Sequence, residues 1–164
     1  PMLLSDDGQR LRGHMARAND QWQHFANGPL LAIFRGPHAY ISPTYYEAEF
    51  AVPTWNYVAV HATGTARLIN DAQDVRELLD DLIVSSDRHG WTMPWQDERA
   101  TGLLAAIVAF EIDIHRLEGK AKLGQNRSCA DQQSTSRALA TSARASDREL
   151  AHFMAEYQEQ GSFQ

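Results

Sequence analysis

Two segments of this sequence alternate between apolar and polar residues, and they constrain the fold more than any other feature. From 58 to 68 the even positions are small or apolar, while the odd positions from His61 onward are polar. From 108 to 115 the alternation returns, with acidic residues and a histidine on the polar side. A period of two is typical of a strand that buries one face. The chain is therefore predicted to contain two long half-buried strands, with Gly64 as a bulge or bend in the first.

Shorter segments predict further elements around these strands. Asp6-Asp7-Gly8 predicts a hairpin turn, and Gly36-Pro37 predicts a break between two strands. The predicted strands cover residues 10–17, 30–34 and 38–42, the second buried on both faces, and the predicted helices cover 21–26, 71–89, 98–105, 131–143 and 146–159. The last helix is predicted to start with a capping box from Ser146 to Glu149, and residues 117–127 to form a compact polar segment. This order predicts the α+β class, as one domain over residues 1–164 with an antiparallel sheet or barrel and flanking helices.

Charge and composition narrow the possible partners and compartment. Fifteen basic against 21 acidic side chains give a formal charge of −6. A DNA-binding surface needs clustered Lys and Arg, so direct DNA binding is possible but not supported by charge. No run of eighteen apolar residues predicts a membrane span. The single cysteine, Cys129, and the lack of a visible secretory signal indicate the cytoplasm, and the start at Pro1 predicts residues upstream.

An aromatic stretch from Gly36 to Tyr57 is the first candidate for a binding site. It holds three prolines and five of the nine Tyr and Trp residues of the chain. Rigid corners, hydroxyl donors and flat rings suit a planar ligand with a polar or phosphorylated tail. The alternative interpretation is that the rings plug one end of a barrel and the prolines only terminate strands.

Signatures of catalysis and of metal binding are weak. The chain has no glycine-rich nucleotide loop, no nucleophile elbow and no zinc-protease motif, so no catalytic residue is predicted. Seven histidines share no metal-ligand spacing. Glu111, Asp113 and His115 share one strand face, which with His61 on a neighbouring strand would resemble a facial metal site. A solvated face is the simpler interpretation, and no metal is predicted.

Four motifs carry a resemblance to a known family. They are Arg12-Gly13-His14-Met15-Ala16-Arg17-Ala18-Asn19 with Trp22, the run from Gly36 to Pro43, the run from Val52 to Tyr57, and the run from Lys122 to Arg127. In this order they resemble the PaiB-type family of FMN-binding negative transcriptional regulators. The resemblance implies an antiparallel split barrel and a homodimer with FMN at the subunit interface. The chain departs from the family pattern at Asp20, Thr44 and Gly124, where proline and two serines are usual.

The resemblance, together with the chemistry of FMN, suggests cofactor-binding residues. FMN needs cationic and hydroxyl donors for its phosphate and a flat apolar slot for its ring. The predicted set is Arg12, His14, Arg17, Asn19, Ser42, Thr44, Thr54, Trp55, Asn56, Tyr57, Lys122, Gln125, Asn126 and Arg127. Of these, Arg12 and His14 are expected on the outward face of their strand, and the four residues from 122 to 127 are expected to close the site from the neighbouring subunit. Each could instead serve only the structure.

Several functions are compatible with this prediction. The resemblance implies a cytoplasmic FMN-binding homodimer with a regulatory role. The alternatives are a flavin-dependent oxidoreductase of the same fold, a haem-binding split barrel with a histidine ligand, and an interaction module without a ligand.

Overall fold

Five strands form one sheet in this computed structural model, which describes residues 1–159; residues 160–164 of the predicted domain lie outside the described residues. The strands are β1 (Met2–Leu4), β2 (Arg10–Ala16), β3 (Leu30–Ile41), β4 (Thr54–Ile69) and β5 (Ile107–Lys122). Their order in the sheet is β1-β2-β5-β4-β3. The pairs β1 with β2 and β2 with β5 are antiparallel. Together with the helices, this sheet confirms the α+β class.

The predicted hairpin at the start of the chain is confirmed. Met2 lies opposite Gly13 in the β1–β2 register. Gly8 in the turn has φ +69°, a left-handed conformation that glycine adopts without strain. Leu11 and Gly13 on β2 are buried, as the alternation predicted.

The prediction of two strands between residues 30 and 42 is wrong, because β3 runs through Gly36 and Pro37 without a break. Proline lacks an N–H to donate to a neighbouring strand, and β3 tolerates it because it stands at the edge of the sheet. The first part is also not buried on both faces, since Leu31 is 50% and Ile33 57% exposed.

Both predicted long strands are present, and both are longer than expected. The prediction that β5 buries only one face is wrong for its first half, because Ala109 and Glu111 are buried as well as Phe110 and Ile112. β4 was predicted from Tyr57 to Ile69 but begins at Thr54, and it buries Ala62, Gly64 and Ala66. β5 continues to Lys122, so the first part of the predicted polar segment over 117–127 is strand. A Cβ on Gly64 would lie 2.2 Å from the carbonyl oxygen of Asp113, so this glycine permits close backbone approach.

The helices follow the predicted order, with some shifted ends. They are α1 (Ala72–Ser86), α2 (Glu98–Ala105), α3 (Cys129–Ala140) and α4 (Ala145–Glu159), and residues Asp20–Asn27 form a 3-10 helix. The predicted capping box at Ser146 is wrong, because α4 already begins at Ala145. Instead, Ser142 before the helix donates from its hydroxyl to Asp147 Oδ2 at 2.7 Å.

The chain forms two compact units, and the three long strands contribute residues to both. Unit 1 comprises residues 1–32 and 62–117, and unit 2 comprises residues 33–61 and 118–159 of the described chain. Unit 1 packs Leu11, Phe25, Phe110 and Ile112 in one core, with Leu78, Leu82 and Ala109 in a second cluster. Unit 2 packs Ile41, Leu123, Leu139, Leu150 and Met154. Within residues 1–159 no helix has the length and apolar character needed to cross a membrane.

Candidate functional site

The aromatic stretch builds a cleft in unit 2 between residues of β3 and β4. The cleft has a volume of about 370 Å³, and its lining residues are Arg35, Gly36, His38, Trp55, Tyr57, Val58 and Ala59. Trp55 is 44% exposed, although an indole gains from burial. The His38 ring stacks on Trp55, with 5.7 Å between ring centroids and 25° between planes. This arrangement presents a flat aromatic surface to a ligand.

Gly36 lets the two strands approach each other beside this cleft. A Cβ at this position would lie 3.2 Å from Val58 Cβ, which is tighter than most contacts in proteins. The close packing of the two strands therefore explains why glycine occupies the first position of the Gly-Pro-His motif.

The contact between Arg35 and His38 determines which nitrogen of the histidine carries the proton. Arg35 Nη2 lies 3.2 Å from His38 Nε2. A guanidinium has only donors, so Nε2 accepts and the neutral ring carries its proton on Nδ1. Nδ1 is buried and has no partner among the described residues. The Nδ1–H of His38 is thus a buried donor without an acceptor. Leaving such a donor unpaired costs about 1–3 kcal/mol.

The other face of β4 carries a polar cluster. Successive strand residues point to opposite faces, so Thr54 and Asn56 face away from Trp55 and Tyr57. Lys122 Nζ donates to Thr54 Oγ1 at 2.8 Å. Asn56 is only 2% exposed, and its Oδ1 is buried without a partner within the described chain.

A tight turn places Arg127 beside this cluster. Gly124 has φ +79°, and a Cβ there would lie 3.7 Å from both Asn56 Nδ2 and Arg127 Cγ. The Arg127 guanidinium lies 4.4 Å from the centroid of the Tyr46 ring. Glycine at 124 suits the left-handed turn, which a serine would adopt only with strain.

The remaining predicted residues of unit 2 build or border the turns. Gln125 accepts from the Leu123 N–H and donates to the Ala121 carbonyl, so both ends of its amide are engaged. Ser42 Oγ and Thr44 Oγ1 lie 2.8 Å apart at the start of a short 3-10 helix. Asn126 is exposed.

The predicted residues of unit 1 are largely engaged in structural contacts. Arg17 donates to the carbonyls of Ala105 and Ile107 at 2.8 and 2.7 Å. Asn19 caps the 3-10 helix by accepting from the Gln21 N–H at 3.1 Å. These are anchoring roles of the kind that the sequence left open as alternatives.

The strand face that carries Arg12 and His14, which was expected to point outward, is partly covered by α1. Arg12 Nη2 pairs with Asp81 Oδ2 of α1 at 2.9 Å. His14 lines a cavity together with Leu79 and Leu82 of α1, and its buried Nδ1 has no partner among the described residues. Burial lowers the pKa of His14 below its usual value. The ring is therefore neutral near pH 7.

The acidic face of β5 serves an ion pair. Glu111 is buried and pairs with Arg67, while His115 Nε2 lies 3.4 Å from Thr65 Oγ1. Within residues 1–159, no group of three His, Cys, Asp or Glu side chains is placed to hold a metal ion.

Sequence reasoning missed a cation and a histidine of the cleft and one partner of the polar cluster. Arg35 and His38 line the cleft but were not in the predicted set, although His38 belongs to the Gly-Pro-His motif. Tyr46, next to the predicted Thr44, is the ring beneath Arg127. A strand alternation continued through Pro37 would have placed Gly36, His38 and Tyr40 on one face.

The chain matches one protein family and is similar in sequence to several known proteins. The family described as "Putative FMN-binding domain" matches residues 1–116. The "Protease synthase and sporulation protein PAI 2" of Bacillus subtilis is 33% identical over 154 residues, covering 91% of this chain and 73% of that protein. An uncharacterized protein of Emericella nidulans is 32% identical over 156 residues, covering 74% of this chain and 62% of its own.

Solved structures resemble the chain in fold. The flavocytochrome Anf3 from Azotobacter vinelandii has a TM-score of 0.55 at 16% identity, covering 82% of this chain and 60% of that one. A "putative 5-nitroimidazole antibiotic resistance protein" from Bacteroides thetaiotaomicron has a TM-score of 0.50 at 12% identity, covering 73% and 65%. The chain thus spans less than two thirds of each of these structures. The antiparallel sheet and this likeness confirm the split-barrel fold. By its sequence and fold, the chain belongs to the PaiB-type family of FMN-binding domains.

Proposed function

We propose that the cleft of unit 2 holds the isoalloxazine ring of FMN. The observation that carries this proposal is the stacked pair of His38 and Trp55 above an apolar cleft of about 370 Å³. Ligand sites are typically such clefts, with few polar groups at fixed places. The residues also fit the chemistry of the ring, because flavin carbonyl oxygens are acceptors and the buried His38 N–H lacks one. When bound, the flavin supplies electron transfer, while this chain orients it.

The polar cluster fits the tail of the same cofactor. Lys122 and Arg127 supply cations for a phosphate, and cationic donors bind phosphate strongly. A ribityl hydroxyl is the type of donor that the buried Asn56 oxygen lacks. Arg17, Asn19 and Gln125 of the predicted set already have partners, so we assign none of them to the cofactor.

The two faces of β4 support a homodimeric site. Trp55 and Tyr57 point opposite to Thr54 and Asn56, so one small ligand contacts only one of these faces in a single chain. In a two-fold dimer, the cleft of one subunit and the polar cluster of its partner can meet across the interface. We therefore infer that FMN lies between two subunits, with its ring on one and its phosphate on the other.

The biological role that we propose is that of a cytoplasmic negative regulator of transcription. The support is the relationship to a Bacillus subtilis protein named for protease synthesis and sporulation. The exposed Cys129, the single cysteine, suits a reducing compartment. The formal charge of −6 favours an effect through a partner protein over direct DNA binding.

A complementation experiment tests the two-subunit site. Trp55→Ala and Arg127→Ala should each weaken FMN binding to the homodimer about tenfold, since stacking and charged hydrogen bonds contribute on the order of 1–3 kcal/mol each. The control is Phe50→Ala, because Phe50 is 83% exposed in the same stretch and lies outside the cleft. The measurement is a titration followed by the quenching of flavin fluorescence.

The purified heterodimer of the two variants distinguishes the arrangements. If ring and phosphate are held by different subunits, one of its two sites is intact and binds FMN with wild-type affinity. If each site lies within one chain, both sites remain defective. Failure of the wild-type protein to retain FMN would overturn the proposal as a whole. Bleaching of bound flavin by NAD(P)H would favour the oxidoreductase alternative, and a Soret band after expression with haem would favour the haem protein.

A further inference from the structure

A second cavity lies in unit 1, among β2, the carboxyl end of α1 and the loop that follows it. Its volume is about 470 Å³. Leu79 and Leu82 of α1 form apolar walls, with Trp91 and Met93 from the loop. The size suits a small organic molecule. None of the loop residues belongs to the proposed flavin site.

The formal charge among the described residues that line this cavity is negative. Asp87 carries the only formal charge among its lining residues in the described chain, because His14 is neutral near pH 7. Two backbone N–H groups, of His89 and Trp91, donate to Asp87 Oδ2 at 3.0 and 2.7 Å and hold the carboxylate in place. α1 ends at Ser86, and the carboxyl end of a helix carries partial negative charge. Both features favour a positively charged ligand.

The exposed aromatic residue strengthens this preference. Trp91 is 53% exposed beside the cavity. The ring face of Trp attracts an organic cation more strongly than the ring faces of Tyr and Phe do. Met93 adds a polarizable and adaptable wall.

We propose that this cavity binds a small organic cation, an ammonium compound with an aromatic or alkyl body. The apolar walls take the body, while Trp91 and Asp87 take the positive charge. This binding does not depend on the flavin, because Trp91 and Asp87, which take the charge, do not belong to the proposed flavin site.

A charge series of three aromatic probes tests the proposal on the whole protein. Benzyltrimethylammonium is the cation, benzyl alcohol the neutral compound and benzoate the anion. We expect saturable binding of the cation with a dissociation constant on the order of 1 mM or below, and at least about fivefold weaker binding of the other two. The readout is the NMR shift of the Trp91 indole N–H, which Trp91→Phe identifies by its disappearance.

Two variants separate charge from shape. Asp87→Asn keeps an oxygen for the two backbone N–H groups but removes the charge, and it should weaken cation binding about fivefold without affecting benzyl alcohol. Glu77→Gln is the matched control, because it makes the same charge change on α1 outside the cavity lining. Trp91→Phe should retain more cation affinity than Trp91→Leu, as measured by ligand-observed NMR.

Three outcomes would overturn the proposal. They are equal binding of the three probes, equal loss in Asp87→Asn and Glu77→Gln, and displacement of the cation by FMN. The last would assign the cavity to the flavin site.

Discussion

The two units differ in how they use the polar residues that the sequence marked as cofactor ligands. In unit 1, Arg12, Arg17 and Asn19 bond to a carboxylate, to backbone carbonyls and to a helix N-terminus. In unit 2, the predicted Asn56 holds a buried Oδ1 without a partner in the described chain, and His38, which was not predicted, holds an unpaired Nδ1. In unit 1, the buried Nδ1 of His14 is unpaired as well. The two arginines and Asn19 therefore serve the structure, whereas Asn56 leaves a bond unmade. An unmet hydrogen bond beside a cleft or a cation, rather than residue type alone, points to a binding site.

The largest expected effect contrasts the two glycines of closest approach. In unit 1 a Cβ on Gly64 would lie 2.2 Å from a backbone oxygen, and in unit 2 a Cβ on Gly36 would lie 3.2 Å from the side chain of Val58. Backbone cannot move as easily as a side chain. We expect Gly64→Ala to lower the free energy of unfolding by about 3 kcal/mol or more and Gly36→Ala by about 1 kcal/mol.

Urea denaturation of both variants measures this difference. Equal losses of stability would show that the strands near Gly64 can separate without cost, and would remove the distinction between the two positions.

The next prediction contrasts the two arginines. Arg17→Ala removes two charged hydrogen bonds to the backbone and should lower the free energy of unfolding by about 1–2 kcal/mol. This is the low end of the range for two such bonds, because the Arg17 side chain is exposed. Arg127→Ala removes a half-buried contact with Tyr46 and should cost about 0.5–1 kcal/mol. Its main effect should instead be on FMN affinity.

Melting temperature and FMN titration, measured on both variants, separate these roles. A loss of FMN affinity in Arg17→Ala at an unchanged melting temperature would return Arg17 to the cofactor site and weaken the contrast between the units.

The smallest expected effect concerns pH and His14. Burial lowers the pKa of His14 in the folded state below the value of 6.5 that it has when unfolded. Between these two pKa values the unfolded chain binds more protons than the folded one, so stability falls as the pH decreases below 6.5. We expect the melting temperature of the wild-type protein to decline over this window, and that of His14→Phe to decline less. His152→Phe is the control, since His152 is an exposed residue on α4. Identical slopes in the three proteins would show that His14 titrates as an exposed residue.

Local patterns predicted most of the secondary structure. Burial of one face of an element leaves a period in the sequence. This period is two in β4 and β5, and it is helical for Leu78 with Leu82 and for Leu150 with Met154. The errors arose where the position in the sheet overrode a local signal. Pro37 was expected to end a strand, but an edge strand has no need of that N–H.

The candidate site was predicted in part. Trp55, Asn56, Lys122 and Arg127 were identified by family motifs and by the chemistry of FMN. Their division between two faces of β4, and the contributions of Arg35 and His38, follow from the strand pairing and from distances between side chains. No local pattern carries that information.

The sequence by itself determined the alternating strands, the amphipathic helices and the membership of an FMN-binding family, because these depend on periodicity and on short motifs. Only the tertiary structure decided which polar residues have partners. Arg12 finds Asp81 at a separation of 69 residues, Arg17 finds Ala105 at 88, and Lys122 finds Thr54 at 68. The physical reason is that a hydrogen bond requires two groups within about 3 Å in space, whatever their separation along the chain.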